Sequence, residues 1–258
     1  MKAYADGKIQ VQQQGPVTTV IINRPEVRNA LDNDAARGLG RAMRDFDADD
    51  SQAVAVLSGA GGAFCAGADL KQVAGSSDYV AWAGDPDGPT NPTLSKPVIA
   101  AVEGHAVAGG LGTALWCDIR IVDETTVFGV FCRRWGVPMS DGTTVRLPRL
   151  IGAARALDML ITGRGVNADE AIDWGLATRR AAKGQTRQVA EELALQIAGF
   201  PQIAMRSDRM SAYKQAGQTM EDAVRTEKEL SQEAKAIEAS EGAARFATGA
   251  GRHGEFSE

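Results

Sequence analysis

Twice in this chain a short β-rich run ends in a glycine-rich turn and passes straight into a helix-forming segment. This repeated junction constrains the fold more than any other feature. The first occurrence is G-A-G-G-A-F-C-A-G-A-D-L-K, from Gly59 to Lys71, and the second is V-E-G-H-A-V-A-G-G-L-G, from Val102 to Gly112. Junctions of this kind lay helices against strands, as in a layered α/β core. The apolar pattern agrees: Val17–Ile22, Ala53–Leu57, Val98–Val102 and Ile119–Val122 are β-rich and bounded by Gly, Pro or charged residues. Between the first two of these, Leu31, Ala35, Leu39, Met43 and Phe46 recur at near-helical spacing. The segment from Gly75 to Pro97, rich in Gly, Pro, Asp and Ser, reads as a long loop, which in a compact domain is often functional.

From about Asn167 the pattern becomes almost wholly helical. Asn167 with Glu170, and Thr219 with Asp222, have the spacing of capping boxes. The second opens a helix carrying Met220, Ala223, Val224, Glu227, Leu230, Ala234 and Ile237 along one side. This final third has too few strand-like runs to join the sheet, so it is expected to cover the core or a neighbouring subunit.

With 258 residues, 44% of them hydrophobic, the chain can bury one main domain plus an appendage. A net charge of −5 without a basic stripe argues against nucleic acid and anionic membranes as partners. The opening MKAYADGKIQ lacks the apolar core of a signal peptide, and no apolar run approaches the roughly 18 residues of a membrane span. The expected location is therefore the cytoplasm. Cys65, Cys117 and Cys132 form neither a disulfide framework nor a CxxC pair, and His105 and His253 are far apart in sequence, so no metal site is expected.

The two glycine turns carry the chemistry. Each can present backbone N–H groups to an anion or a developing oxyanion, and together they suggest two donors converging on one oxygen. The first is not a phosphate-binding loop, because no Gly-Lys-Ser/Thr follows. A third stretch, I-I-N-R-P-E-V-R-N-A-L from Ile21 to Leu31, leaves a strand for a helix through Asn-Arg-Pro. Its residues alone leave open a ligand-binding turn or a plain one with surface arginines.

Taken in order, N-R-P-E-V-R-N-A-L from Asn23, F-C-A-G-A-D-L from Phe64, H-A-V-A-G-G from His105, F-G-V from Phe128, G-V-P from Gly136, R-L from Arg146 and the basic, glycine-containing C-terminal stretch resemble the crotonase superfamily, the enoyl-CoA hydratase/isomerase family. The resemblance implies an α/β fold: a crotonase-like spiral of ββα units over residues 1–190, then a C-terminal helical trimerisation region over 191–258. It implies an acyl-CoA thioester as substrate, with coenzyme A part of that substrate and no separate cofactor, and a homotrimer or dimer of trimers. By position in the motifs, Ala68 and Gly109 match the two residues whose backbone N–H groups form the oxyanion hole. Val27, Arg28, Ala30, Ala66, Asp69, Leu70 and Lys71 fall near the nucleotide and pantetheine of coenzyme A. Arg28 and Lys71 are phosphate partners in that reading and solvated surface residues in the plainer one.

The chain departs from the family where its hydratases carry two glutamates, for those positions fall on Gly112 and Cys132. Neither a glycine nor a neutral thiol replaces a positioned carboxylate, and general acid–base groups contribute about 10²- to 10⁴-fold each. Gly112 also costs its helix roughly 1 kcal/mol against alanine, without the oxyanion-hole reason that Gly109 and Gly110 have. Asp141, on the turn into the next helix, stands close to where some members carry a catalytic aspartate, and also where an aspartate would cap that helix. Trp116 and Trp135 are expected to fill the core or line the acyl pocket, and Cys132 to be packed and inert. The functional expectation is an acyl-CoA enzyme with an oxyanion hole and Asp141 as base, favouring isomerisation or related thioester chemistry over simple hydration. The alternative is a catalytically weak acyl-CoA-binding or subunit-interaction protein.

Overall fold

The computed structural model describes residues 2–75, 88–90, 93–249 and 251; most of the long Gly75–Pro97 segment, and His253 with most of the C-terminal stretch, lie outside the described residues. The chain opens with β1 (Lys2–Tyr4), β2 (Ile9–Gln14) and β3 (Val17–Ile22), an antiparallel meander. Helix α1 (Asn33–Ala48) follows, and its crossover returns the chain to β4 (Val54–Gly59), parallel to β3. Asp32 starts α1 by accepting the Ala35 N–H, and Ala35, Leu39, Met43 and Phe46 bury one face of it. Leu31 was expected on this helical face, but it precedes the cap and pairs as an isolated parallel bridge with Ala68. The aspartate cap, not the apolar spacing, decides where the helix begins.

After α2 (Leu70–Gly75) come β5 (Val98–Val102), β6 (His105–Val107), α3 (Gly109–Trp116), β7 (Ile119–Val122) and β8 (Val127–Gly129). Helices α4 (Thr143–Ile151) and α5 (Ala153–Thr162), strand β9 (Gly165–Asn167), helix α6 (Ala168–Asp173), strand β10 (Arg179–Arg180) and helix α7 (Thr186–Ala198) complete this part. Seven strands form one sheet in the order β1-β2-β3-β4-β5-β7-β10, parallel from β3 onward, and β6-β8-β9 form a second, three-stranded sheet. Every residue of β3 and β5 is buried, as expected of parallel strands covered on both faces.

The expectation that the final third contributes no strand is corrected by β10, which pairs in parallel with β7 at Arg179↔Ile121 and Arg180↔Val122. Backbone bonds from the Thr178 N–H to the Arg120 carbonyl (3.1 Å) and from the Ala181 N–H to the Val122 carbonyl (2.8 Å) hold it there. An edge strand of two exposed arginines needs no apolar alternation, so the pattern gives no sign of it.

Residue contacts divide the chain into compact units at Met1–Ile197 and Ala198–Glu258. The second unit contains α8 (Gln202–Lys214), α9 (Met220–Ala234), a π-helical turn at Lys235–Ala239 and α10 (Ser240–Ala247). Thr219 caps α9 by accepting the Asp222 N–H, and Asn167 caps α6 through the Glu170 N–H, as the two capping boxes predict. Within the second unit the Glu238 carboxylate accepts the Ile203 and Ala204 N–H groups (3.0 and 2.8 Å), satisfying donors that the start of α8 would leave unpaired. Among the described residues no helix is long and apolar enough to cross a membrane.

Candidate active site

The two glycine turns run side by side. The Cys65 N–H donates to the His105 carbonyl (2.9 Å) and the Val107 N–H to the Cys65 carbonyl (3.0 Å), a parallel bridge with Cys65 opposite Ala106. Three residues further along each strand stand Ala68 and Gly109. Their approach depends on Gly67, held at φ +94°, where a Cβ would lie 2.8 Å from the Gly109 nitrogen and 2.9 Å from the Ala108 Cβ. The neighbouring bridge to Leu31 uses the carbonyl of Gly67 (2.8 Å) and the N–H of Asp69 (2.9 Å), so the Ala68 peptide N–H faces away from it. Gly109 opens α3, and the N–H of a first helical residue has no partner within the helix. Both N–H groups are thereby available, with the positive end of α3 behind one of them.

Asn29 secures the first turn from below. Fully buried, it donates to the carbonyls of Ala60 (2.8 Å) and Ala63 (2.6 Å) and accepts the Arg24 N–H (2.8 Å). The Asn-Arg-Pro stretch is thus the brace of the glycine loop, a role the sequence reading did not assign.

Asp141 is 3% exposed. Its Oδ1 accepts the Thr143 N–H (2.9 Å) in a local turn just ahead of α4, whose N-cap is Gly142 without a side-chain cap, so the expected aspartate cap is not formed. Its carbonyl accepts from Arg146 Nη1 (2.9 Å) and Thr90 Oγ1 (3.3 Å), and Arg146 Nη2 also donates to the Thr90 carbonyl (3.2 Å). Neither Thr90 nor Arg146 was singled out as a support, and nothing local in the sequence couples two residues so far apart. The carboxyl group itself lies against Gly112: a Cβ at that glycine would come within 3.0 Å of its carbon and both oxygens. Gly112, the fourth residue of α3, therefore has a packing reason where it lacks an oxyanion-hole one. It stands three residues beyond Gly109, so Asp141 approaches α3 about 4.5 Å along the axis from the Gly109 N–H.

Burial pushes the Asp141 carboxyl above its ordinary range, against the lowering effect of the Thr143 N–H. The thiols nearby are held in the protonated form. Burial drives Cys65 up to about 12, and Cys132 is raised by burial and then by the Asp141 charge, with its Sγ 3.1 Å from Met139 Sδ. His105 is lowered by burial and by Arg28, and its ring meets Phe131 edge-on.

Of the residues expected near coenzyme A, Arg28, Leu70 and Lys71 are exposed, Val27 and Ala66 half-buried and Ala30 buried. The Ala66 N–H donates to the Arg28 carbonyl (3.0 Å), placing these two together at the mouth of the first turn. Asp69 turns its carboxylate elsewhere: it pairs with Arg24 (3.1 Å), which also meets Asp32 (3.2 Å). Its side chain ties α2 to the Asn-Arg-Pro turn. Trp116 is buried as expected, whereas Trp135 is 72% exposed and fills no core. Its place at the end of a short 3₁₀ turn, Phe131–Trp135, leaves the indole outside.

The spiral of strand, glycine turn and helix is a crotonase fold. It superposes on a crystal structure of an enoyl-CoA hydratase from Mycobacterium tuberculosis H37Rv with a TM-score of 0.88 at 32% identity, covering 93% of this chain and 96% of that one. A probable enoyl-CoA hydratase of Rhizobium meliloti is 36% identical over 95% of this chain and 96% of its own length. A carnitinyl-CoA dehydratase of Proteus mirabilis is 36% identical over 76% of this chain and 77% of its own length. The enoyl-CoA hydratase/isomerase family model matches residues 12–250. The chain belongs to the enoyl-CoA hydratase/isomerase family.

Proposed function

We propose that this enzyme binds an acyl-CoA thioester with its carbonyl oxygen between the Ala68 and Gly109 N–H groups and uses Asp141 as the single acid–base group to shift a double bond. Coenzyme A enters as part of the substrate, along the edge formed by Val27, Arg28, Ala30, Ala66, Leu70 and Lys71. The carrying observation is that the buried carboxylate of Asp141 rests on α3 three residues from Gly109, while Gly112 and Cys132 supply no carboxylate. Asp141 removes a proton from the α or γ carbon, the electron pair moves into the thioester as a dienolate, and the two N–H donors stabilise the charge that collects on oxygen. The proton now on Asp141 returns to the other end of the three-carbon unit, which completes the shift and restores the carboxylate. Hydration would instead require a second positioned group to hold the water. The family assembly, a trimer or dimer of trimers, fits the apolar side chains each chain leaves exposed on α5 and α9.

The test compares conversion of a 3-enoyl-CoA to its 2-enoyl isomer with hydration of crotonyl-CoA. Isomerisation should be the faster, and Asp141→Asn should lower it about 10²- to 10⁴-fold. Turnover unchanged in Asp141→Asn would refute the assignment, as would thioester binding without turnover.

A further inference from the structure

We propose that Gly112 is a specificity-determining residue: the absence of a side chain there admits the Asp141 carboxylate to α3, so that a side chain at position 112 and a carboxylate from position 141 exclude each other. The spatial claim stands on the geometry; only its catalytic consequence rests on reading Asp141 as the base.

The residues flanking Gly112 in α3, Leu111 and Thr113 to Trp116, all carry buried side chains, so this helix is packed on every side. A bare Cα in its middle costs roughly 1 kcal/mol against alanine, and the space beside it is filled by another residue. That residue is Asp141, whose carboxyl carbon and both oxygens lie within 3.0 Å of where a Cβ would be. Asp141 has little freedom to withdraw. The Thr143 N–H fixes Oδ1, and Thr90 with Arg146 fix its carbonyl (3.3 and 2.9 Å). A side chain at 112 must therefore displace the carboxylate from its place beside the Thr143 N–H. The same volume can receive a carboxylate from α3 or from the turn before α4, but not both. The choice sets from which wall the acid–base group reaches the acyl chain. A single carboxylate on the turn wall suits a proton that leaves and returns on one face of the substrate.

The experiment uses four full-length proteins: the natural chain, Gly112→Ala, Asp141→Ala and the double variant. With Asp141 present, Gly112→Ala should lower the thermal midpoint. With alanine at 141, which lacks those three carboxylate atoms, the same change should lower it less or raise it, because they no longer oppose the gain in helix propensity. A Gly112→Ala protein that fails to fold while the double variant folds is the same result in stronger form. Equal shifts in both backgrounds, or a double variant that also fails to fold, would overturn the exclusion. In turnover of the 3-enoyl-CoA, Gly112→Ala should lose about as much as Asp141→Ala, on the order of 10²- to 10⁴-fold, and the double variant little more. Losses that multiply would count against it. If Asp141→Asn keeps full turnover, the proposed reaction fails, and the thermal cycle still decides whether the two positions exclude each other.

Discussion

At the scale of single residues, the base proposed at Asp141 would draw on stability. Burial raises its carboxyl above the usual range, so the ionised form that a base requires is the form the fold disfavours. The sign follows from linkage. A carboxyl whose folded value is raised favours the native state below its unfolded value, and that contribution is lost as pH rises through the folded value. Asp141→Asn keeps an acceptor for the Thr143 N–H but cannot ionise. It should therefore raise the thermal midpoint at neutral pH, and the gain should vanish in acid. In the natural enzyme the acidic limb of kcat/KM should titrate above the roughly 3.9 of a free aspartate and disappear in the Asn variant. Thermal melts and rates over one pH series check both. The residue was legible in sequence as a polar group at the turn into a helix, although Gly142 is the N-cap of α4 and Asp141 accepts the Thr143 N–H from one position earlier. Its contact with Gly112 was not, because no local pattern joins a helix interior to a turn so far along the chain.

Secondary-structure elements were legible where burial writes a pattern. β5 and β7 fall where the apolar runs predict, and β3 matches its run from end to end. The three-residue strands β6, β8 and β9 are too short to show a period, and β10 is two exposed arginines, so these elements emerge only through pairing. The same limit hid the brace beneath the first glycine turn. Asn29 looks like one residue of a polar loop, yet it joins the stretch after β3 to the glycine loop after β4. Asn29→Ala would leave the Ala60 and Ala63 carbonyls without this donor, at a cost of about 2–5 kcal/mol. Denaturant titration should show that loss as a lower midpoint. Because Ala68 sits on the braced loop, kcat should fall as well, although Asn29 is not proposed to meet the substrate. A stable Asn29→Ala protein with normal kcat would show that the loop holds its shape without it.

At the scale of the whole molecule, several helices leave large apolar side chains exposed. On α5, Leu157 and Ile161 stand one turn apart at 51% and 70% exposure, and α9 leaves Met220 and Val224 open. The stripe expected along α9 is present, but only Ala234 of it is buried within this chain. Under the proposed trimer or dimer of trimers, closed association around a symmetry axis would cover these side chains. Light scattering should accordingly report a mass of three or six chains of 27.2 kDa. The α5 pair offers the sharper test, because both residues lie on the surface of their own chain and can be changed without opening its core. Burying a leucine or isoleucine side chain contributes about 1.5–3 kcal/mol, and each 1.4 kcal/mol is tenfold in an association constant. Leu157→Glu with Ile161→Glu removes that gain and adds two charges that association would have to desolvate. Dissociation should then appear at protein concentrations at least about 10²-fold higher than for the natural chain, with a circular dichroism spectrum that stays helical. If the double variant keeps its mass on dilution, α5 is not part of the interface. If the natural chain is a monomer at every concentration, the exposed stripe on α9 needs another explanation.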